Sequence, residues 1–454
     1  MTDASNDSRN WRERDLAVLW HPCTQMREHP DTLPLVPIAR GEGAWLVDHD
    51  GGRYLDAVSS WWTNLFGHAN PRIGDAIARQ ARELEHVIFA GFSHEPAIRL
   101  AEKLVSVTPK GLDRVFYAEN GSAAVEIALK MSFHSHRNRG DDKRTRFVAL
   151  SNGYHGETLG ALSMGDIPLY RRTYAPLLLE PTFAPSPDAW NAEPGESAQH
   201  VARRRADELA AILERHGEEI SALILEPLVQ CAGGMRMHHP DYLRRARQLC
   251  DQYGVHLIAD EIAVGFGRTG SLFACEQAGI APDFICLSKG LTGGFLPLAA
   301  VLTTNHVYEA FLDDSRERAF LHSHSYGGNP LGCAAALETL AIFDDEDVIA
   351  HNRSTAQRMA RLATPIAEHP CVGELRQTGM ILAFELVESR ETRRGFDPAR
   401  KVGLKAYRHA LERGVLLRPL GDILYWMPPY CVDERDLERL AAVTASAIET
   451  ATAN

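Results

Sequence analysis

The chain has 454 residues, 45% of them hydrophobic and 24% charged, enough to bury one large core and a smaller second one. A formal net charge of −12 leaves no basic surplus for nucleic-acid phosphates or an anionic membrane surface, so small-molecule chemistry is expected. Residues 1–10 lack a basic segment followed by an apolar one, no later run approaches a bilayer span, and the eight cysteines include no Cys-x-x-Cys pair. A cytoplasmic protein with reduced thiols follows as the expectation.

The first ten residues are biased to Ser, Asn and Asp and are expected to be disordered. Residues 44–48 and 53–55 flank Asp50-Gly51-Gly52, a turn signal, and read as a hairpin packing with the C-terminal part. Apolar, β-branched runs at 114–118, 146–150, 222–225, 255–259 and 283–287 alternate with helix-like stretches, the pattern of an α/β protein with a largely parallel sheet. Residues 191–219, rich in charge and alanine, read as a solvent-facing helix behind a proline-rich loop at 181–187.

Between the third and fourth of those runs, residues 240–253 place Tyr242, Leu243, Ala246 and Leu249 on one helical face and stop at Gly254. That is a right-handed strand, helix, strand crossover in outline. After Ala334 a helical stretch is expected to about residue 367, then strand-like segments at 379–386 and 416–430. The expected division is a large domain over residues 76–335 and a smaller α+β domain assembled from 1–75 and 336–454.

Two charges stand at predicted strand ends, where open α/β sheets bind ligands: Asp260 follows residues 255–259, and Lys289 follows residues 284–287 after one serine. A carboxylate against a pyridine nitrogen favours the protonated, electron-withdrawing ring, and a nearby lysine can bond a cofactor aldehyde and then move a proton. From position alone a buried ion pair reads equally well. Glu119-Asn120-Gly121-Ser122 precedes a helix, so backbone N–H groups and the Ser122 hydroxyl suit a phosphate, although a plain N-cap has the same pattern. Ser151 to Glu157 sets Tyr154 between glycines, suited either to stacking on a flat heterocycle or to ordinary packing. His322 and His324, one residue apart with no cysteine or carboxylate set, read as structural rather than as metal ligands.

Together these segments resemble the class III, fold-type I aminotransferases. Their signature is met by Leu257-Ile258-Ala259-Asp260-Glu261-Ile262, by Gly265-Phe266-Gly267-Arg268-Thr269-Gly270, and by Asp283 through Ser288-Lys289 to Gly293-Gly294. Trp20-His21-Pro22, Ser59-Ser60-Trp61-Trp62, Gly153-Tyr154-His155-Gly156-Glu157, Pro227-Leu228-Val229-Gln230 and Arg418-Pro419 are similar to the biotin-pathway branch of that family.

The resemblance implies pyridoxal 5'-phosphate as cofactor, with Lys289, Asp260 and Tyr154 as the catalytic set. By position, Lys289 would carry the cofactor, Asp260 would hold its ring nitrogen, Tyr154 would stack on the ring, Gly121 and Ser122 would hold the phosphate, and Glu226 would stand in the polar shell. Trp61, Arg418 and Tyr425 would bind substrate along with Tyr154 and Lys289, Arg418 as a planar clamp on a carboxylate. Arg268 would form an active-site wall.

It further implies a homodimer with shared sites, Ser323-His324-Ser325-Tyr326 reaching the partner's site with Ser325 on the phosphate and Ser323 facing substrate. The implied reaction aminates 8-amino-7-oxononanoate to 7,8-diaminononanoate in two halves, with S-adenosylmethionine as donor. Cys23, where some members have a tyrosine contributing to the substrate pocket, leaves the substrate contacts there open, and Ser323-His324-Ser325, where some have Gly-Pro-Thr, leaves lysine open as donor. An ω-amino-acid or diamine aminotransferase using pyruvate or 2-oxoglutarate is the alternative enzyme. A silent protein of the same fold is the alternative outside catalysis, against which Lys289 speaks.

Overall fold

The computed structural model describes residues 8–453. Two compact units divide the chain: a larger one of residues 71–357 and 376–382, and a smaller one of residues up to 70, 358–375 and from 383 onward. Both boundaries differ from those expected. A cut at 75/76 would split the helix Pro71–Ala81, and a cut at 335/336 would split Pro330–Asp345. Those two helices pack on each other, with Arg72 Nε 2.7 Å from Glu338 and, beside them, Lys103 of the helix Glu95–Val107 2.6 Å from Asp344.

The larger unit is built on a seven-stranded sheet: β1 (Leu112–Ala118), β2 (Arg146–Leu150), β3 (Thr182–Ala184), β4 (Ile220–Leu225), β5 (His256–Asp260), β6 (Phe284–Leu287) and β7 (Ala299–Thr304), in the order β1-β7-β6-β5-β4-β2-β3. β4, β5 and β6 are buried throughout, which is why they read as near-continuous apolar runs without alternation. The pairs from β6 through β3 are parallel. β7 is antiparallel to both its neighbours. Too few residues separate Leu287 from Ala299 for a crossover helix, and an antiparallel return is what a short connection permits.

The helix Gly121–Asn138 packs Ala124, Ile127, Ala128 and Met131 into the core beneath β1, β4, β5 and β6. Pro240–Tyr253 buries Tyr242, Leu243, Ala246 and Leu249, the expected face, and ends at Gly254 in the left-handed region. The stretch expected as one solvent-facing helix at 191–219 is instead a 3-10 turn, Ala189–Asn191, and a helix, Ala198–His216, capped by Ser197. Its Val201, Ala202, Leu209 and Leu213 are buried, and it packs on Pro240–Tyr253. The long helix expected after Ala334 is two, Pro330–Asp345 and Val348–Ala363. Asp344, Asp345, Glu346 and Asp347 stand at the break, where acidic groups oppose the dipole of the first helix and Asp347 Oδ1 accepts from Ala350 N in the second.

The smaller unit holds a four-stranded sheet, Ile38–Glu42, Trp45–Asp48, Arg53–Asp56 and Val415–Leu416 in that order. The expected hairpin thus gains a strand on each side, and Val415 pairs with Leu55 as the C-terminal segment closes its edge. The segment expected to be strand-like at 379–386 forms the strand Ile381–Leu386. The run expected at 416–430 breaks into two short strands around Gly421, at positive φ, and ends at Pro428-Pro429. Of the ten residues expected to be disordered, 1–7 lie outside the described residues, while Ser8–Val18 is helical with Trp11 stacked on His49 at 5.4 Å. No helix among the described residues is long and apolar enough to cross a membrane.

Candidate active site

The carboxyl ends of β1, β2, β4, β5 and β6 deliver the residues singled out in the sequence to one end of the sheet. Asp260 is the last residue of β5 and is 5% exposed; its Oδ1 accepts from Ile262 N at 3.1 Å, and its Oδ2 lies 2.7 Å from His155 Nδ1. His155 Nε2 is buried with no protein partner, so the ring is fixed from one side only. His155 is the functional candidate that sequence reasoning missed. It sat inside the Tyr154 motif, and its neighbour on the far side, Gly156, could have flagged it.

Lys289 opens a 3-10 turn directly after β6, with φ of 37°. A lysine held in the left-handed region is costly, about 1–3 kcal/mol, and persists where the surroundings fix it. Desolvation pulls its amine below the ordinary lysine range, against the opposing pull of Cys231, Asp260 and Glu226. Glu226, the residue after β4, accepts from Tyr154 N at 3.0 Å and from Cys231 N at 2.9 Å. Burial nonetheless pushes its carboxyl up to about 7, with the neighbouring Asp260 adding to the rise and His155 opposing it. Arg268 is buried in the same unit.

After β1, Asn120 caps the helix Gly121–Asn138 by accepting from Ala123 N at 3.0 Å, which leaves the turn at Gly121 and Ser122 facing the strand ends. A Cβ on Gly121 would come 2.9 Å from Ile262 Cδ1. Gly156 has φ of 128°, and a Cβ there would lie 2.0 Å from Ser122 Oγ. Only glycine lets the 153–157 loop approach so closely, and the approach lets Ser122 Oγ accept from Glu157 N at 3.1 Å. Tyr154 donates its hydroxyl to Glu157 at 3.1 Å and sets its ring edge-on to Tyr170.

The segment Ser323-His324-Ser325-Tyr326 is tied to Glu119: His324 Nδ1 pairs with its carboxylate, and Tyr326 N donates to Oε1 at 3.2 Å. His322 contacts Lys130 at 2.9 Å and stacks on Phe320. Among the described residues no group of three His, Cys, Asp or Glu side chains could hold a metal ion.

Within the smaller unit, Ser59, Ser60, Trp61 and Trp62 take φ of 51°, 46°, 74° and 72°, a left-handed turn made without glycine. Such backbone costs about 1–2 kcal/mol per residue. The Arg418 guanidinium lies 4.4 Å over the Trp61 ring. Both line a cavity of about 310 Å³ with His21, Pro22, Tyr407 and an apolar wall that includes Leu35 and Leu416. Tyr425 is buried, and its hydroxyl accepts from Trp62 Nε1 at 3.0 Å. Cys23 is exposed.

A mostly parallel sheet with a desolvated lysine, a histidine-backed aspartate and a glycine turn at its carboxyl end defines a class, and the chain belongs to it: the class-III aminotransferase family, whose model matches residues 26–448. It is a transaminase. Among its relatives is the adenosylmethionine-8-amino-7-oxononanoate aminotransferase of Helicobacter pylori, 45% identical over 96% of this chain and 97% of that one. A solved enzyme of the same name from Methanocaldococcus jannaschii is 38% identical, covers 98% of this chain and 99% of its own, and superposes with a TM-score of 0.92. An omega transaminase from Pseudomonas jessenii, solved in complex with PMP, is 33% identical over 97% of this chain and 98% of its own, also with a TM-score of 0.92.

Proposed function

We propose that the chain transfers an amino group from S-adenosylmethionine to 8-amino-7-oxononanoate, giving 7,8-diaminononanoate for biotin biosynthesis, with pyridoxal 5'-phosphate as cofactor. The residues fit that cofactor. Asp260, kept in place by His155, offers an anion to the ring nitrogen, Lys289 offers an amine to the aldehyde, and the N–H groups at Gly121 and Ser122 offer donors to the phosphate. Tyr154 would cover the ring, and Glu226 would close the polar shell. When bound, pyridoxal phosphate supplies an electron sink for the carbon that loses its proton.

The chain's own residues do the rest. Desolvation favours the neutral form of the Lys289 amine, so that it can take a proton from one carbon and return it to another. Asp260 stays oriented because His155 Nδ1 and Ile262 N occupy its two oxygens. Donor and acceptor react in turn, so the kinetics should be ping-pong.

The single observation that carries the acceptor is Arg418. It is half-buried on Trp61 at the wall of an apolar cavity, and among the described residues no carboxylate stands in ion-pair distance. A guanidinium so placed suits the carboxylate at the end of an aliphatic chain, and 8-amino-7-oxononanoate is one. Ser323 and Ser325 would serve the site of a second copy in a homodimer. The exposed Ile88, Phe89, Phe92, Leu321 and Tyr326 support that pairing, as apolar groups a partner would cover. The scatter of the eight cysteines along the sequence, with no Cys-x-x-Cys pair, supports a reducing, cytoplasmic setting.

The test is turnover of 8-amino-7-oxononanoate with adenosylmethionine, lysine or alanine as the varied amino donor, alongside the visible absorbance of wild type and Lys289→Ala. The expected outcome is a yellow wild type active with adenosylmethionine and a Lys289→Ala protein that has lost the colour. Colour unchanged in Lys289→Ala would remove the lysine assignment, and amino transfer to pyruvate from ω-amino acids with no amination of 8-amino-7-oxononanoate would favour an ω-amino-acid transaminase.

A further inference from the structure

The left-handed turn at Ser59–Trp62 is held largely by one side chain. Asp56 is fully buried, and its Oδ1 accepts from Val58 N at 3.3 Å and Ser60 N at 3.0 Å. Its Oδ2 accepts from Ser60 Oγ at 2.8 Å and lies 3.0 Å from His68 Nε2. His68 is itself pinned, since its backbone N donates to Gly43 O at 2.7 Å and Gly43 N donates back at 3.2 Å. The far end of the turn is tied by Ser59 Oγ donating to Met427 O at 2.7 Å and by Trp62 Nε1 donating to Tyr425.

What the turn accomplishes is the separation of two adjacent indoles. Trp62 is 3% exposed and hydrogen-bonded in the core, whereas Trp61 is 38% exposed and faces the cavity under Arg418. Burial of Trp61 cannot be the return on four consecutive strained residues, because its ring stays substantially in solvent. Burial is what the turn gives Trp62; what it gives Trp61 is direction, the indole held as a flat platform for the guanidinium.

We propose that Asp56 and His68 are positioning residues for acceptor selection. They lock the left-handed turn, the turn fixes Trp61, and Trp61 holds Arg418 in the attitude that receives the substrate's carboxylate. The role of Arg418 in this statement rests on the acceptor reading given above. The lock itself does not.

The experiment has two arms. In the kinetic arm, Asp56→Ala raises the KM for 8-amino-7-oxononanoate about tenfold, while the donor half-reaction, followed by absorbance, changes less than about twofold. Asp56→Asn, which keeps an oxygen for the Val58 and Ser60 N–H groups, recovers most of the loss. In a Trp61→Ala background Asp56→Ala has little further effect, because the residue acts through that indole. Multiplying losses in the double variant, or equal damage to both half-reactions, would overturn the proposal.

In the structural arm, the protein is labelled with 5-fluorotryptophan and the Trp61 resonance is assigned by its loss in Trp61→Phe. That resonance shifts or broadens in Asp56→Ala; a spectrum identical to wild type would overturn the lock. Ser60→Ala and His68→Gln each remove one bond and give the same signature at about a third of the kinetic effect, should Asp56→Ala not fold. A wild type that aminates no such acceptor would end the acceptor reading, and the fluorine arm would still decide the lock.

Discussion

Glu226 gives the sharpest quantitative test. Its carboxyl lies at about 7 in the folded chain against an ordinary 4.5, because burial penalises the charged form more than its two backbone N–H partners stabilise it. Between pH 4.5 and about 7 the folded protein keeps a proton that the unfolded chain has lost, so stability falls as pH rises through that window and levels off above it. At about 1.4 kcal/mol per tenfold, the whole fall is about 3 kcal/mol. Glu226→Gln removes that slope, at the cost of turning an amide N–H toward a backbone donor, about 1–3 kcal/mol at every pH. The variant apoprotein should therefore be less stable than wild type at pH 5, and the gap should close or invert by pH 8. Denaturant unfolding followed by circular dichroism across that range measures it. Glu261, also buried and also pushed to about 7, contributes the same background to both proteins. A gap that stays constant with pH, or widens as pH rises, would refute the assignment of a desolvated Glu226.

Gly156→Ala should weaken cofactor retention at least tenfold, because a Cβ at φ 128° is strained and displaces the Ser122 hydroxyl; cofactor titration by absorbance, with thermal melting as a folding control, checks it. Arg418→Ala should raise the acceptor KM about a hundredfold and leave the donor half-reaction spectrally near normal; rapid mixing of each half-reaction separates the two. His155→Asn should leave the fold intact but slow both half-reactions at least tenfold, since Asp260 loses the partner at 2.7 Å; paired half-reaction rates decide whether both fall together.

Much of the larger unit was legible because its buried strands are long apolar runs separated by helix signals. Residues 146–150 read as a strand and form one over the same span, and Asp260 and Lys289 fall at strand ends as expected. What periodicity could not supply was whether a helical stretch continues. The acidic residues 344–347 divide one expected helix, and Pro194-Gly195 keeps residues 191–219 from forming another. Nor could it supply backbone handedness. Ser-Ser-Trp-Trp carries no glycine, and nothing in its composition announces a left-handed turn, which exists because Asp56 and Met427 satisfy its polar groups.

The donor question turns on Ser323-His324-Ser325, the segment that departs from the common pattern. Its histidine Nδ1 contacts the Glu119 carboxylate, which also takes the Tyr326 N–H and lies two residues before Gly121. A replacement such as Gly-Pro-Thr would remove the histidine but not the glutamate, so Glu119 would lose that ring partner next to the turn proposed to face the phosphate. If the segment sets the donor and the Gly121 turn holds the phosphate, the two roles are joined through one carboxylate. A change in the segment that altered the donor without disturbing cofactor affinity would require Glu119 to find another side-chain partner. The donor profiles of His324→Pro and Glu119→Gln should consequently move together, and cofactor affinity with them, whereas a loop that acted on the donor by shape alone would leave Glu119→Gln with the wild-type profile.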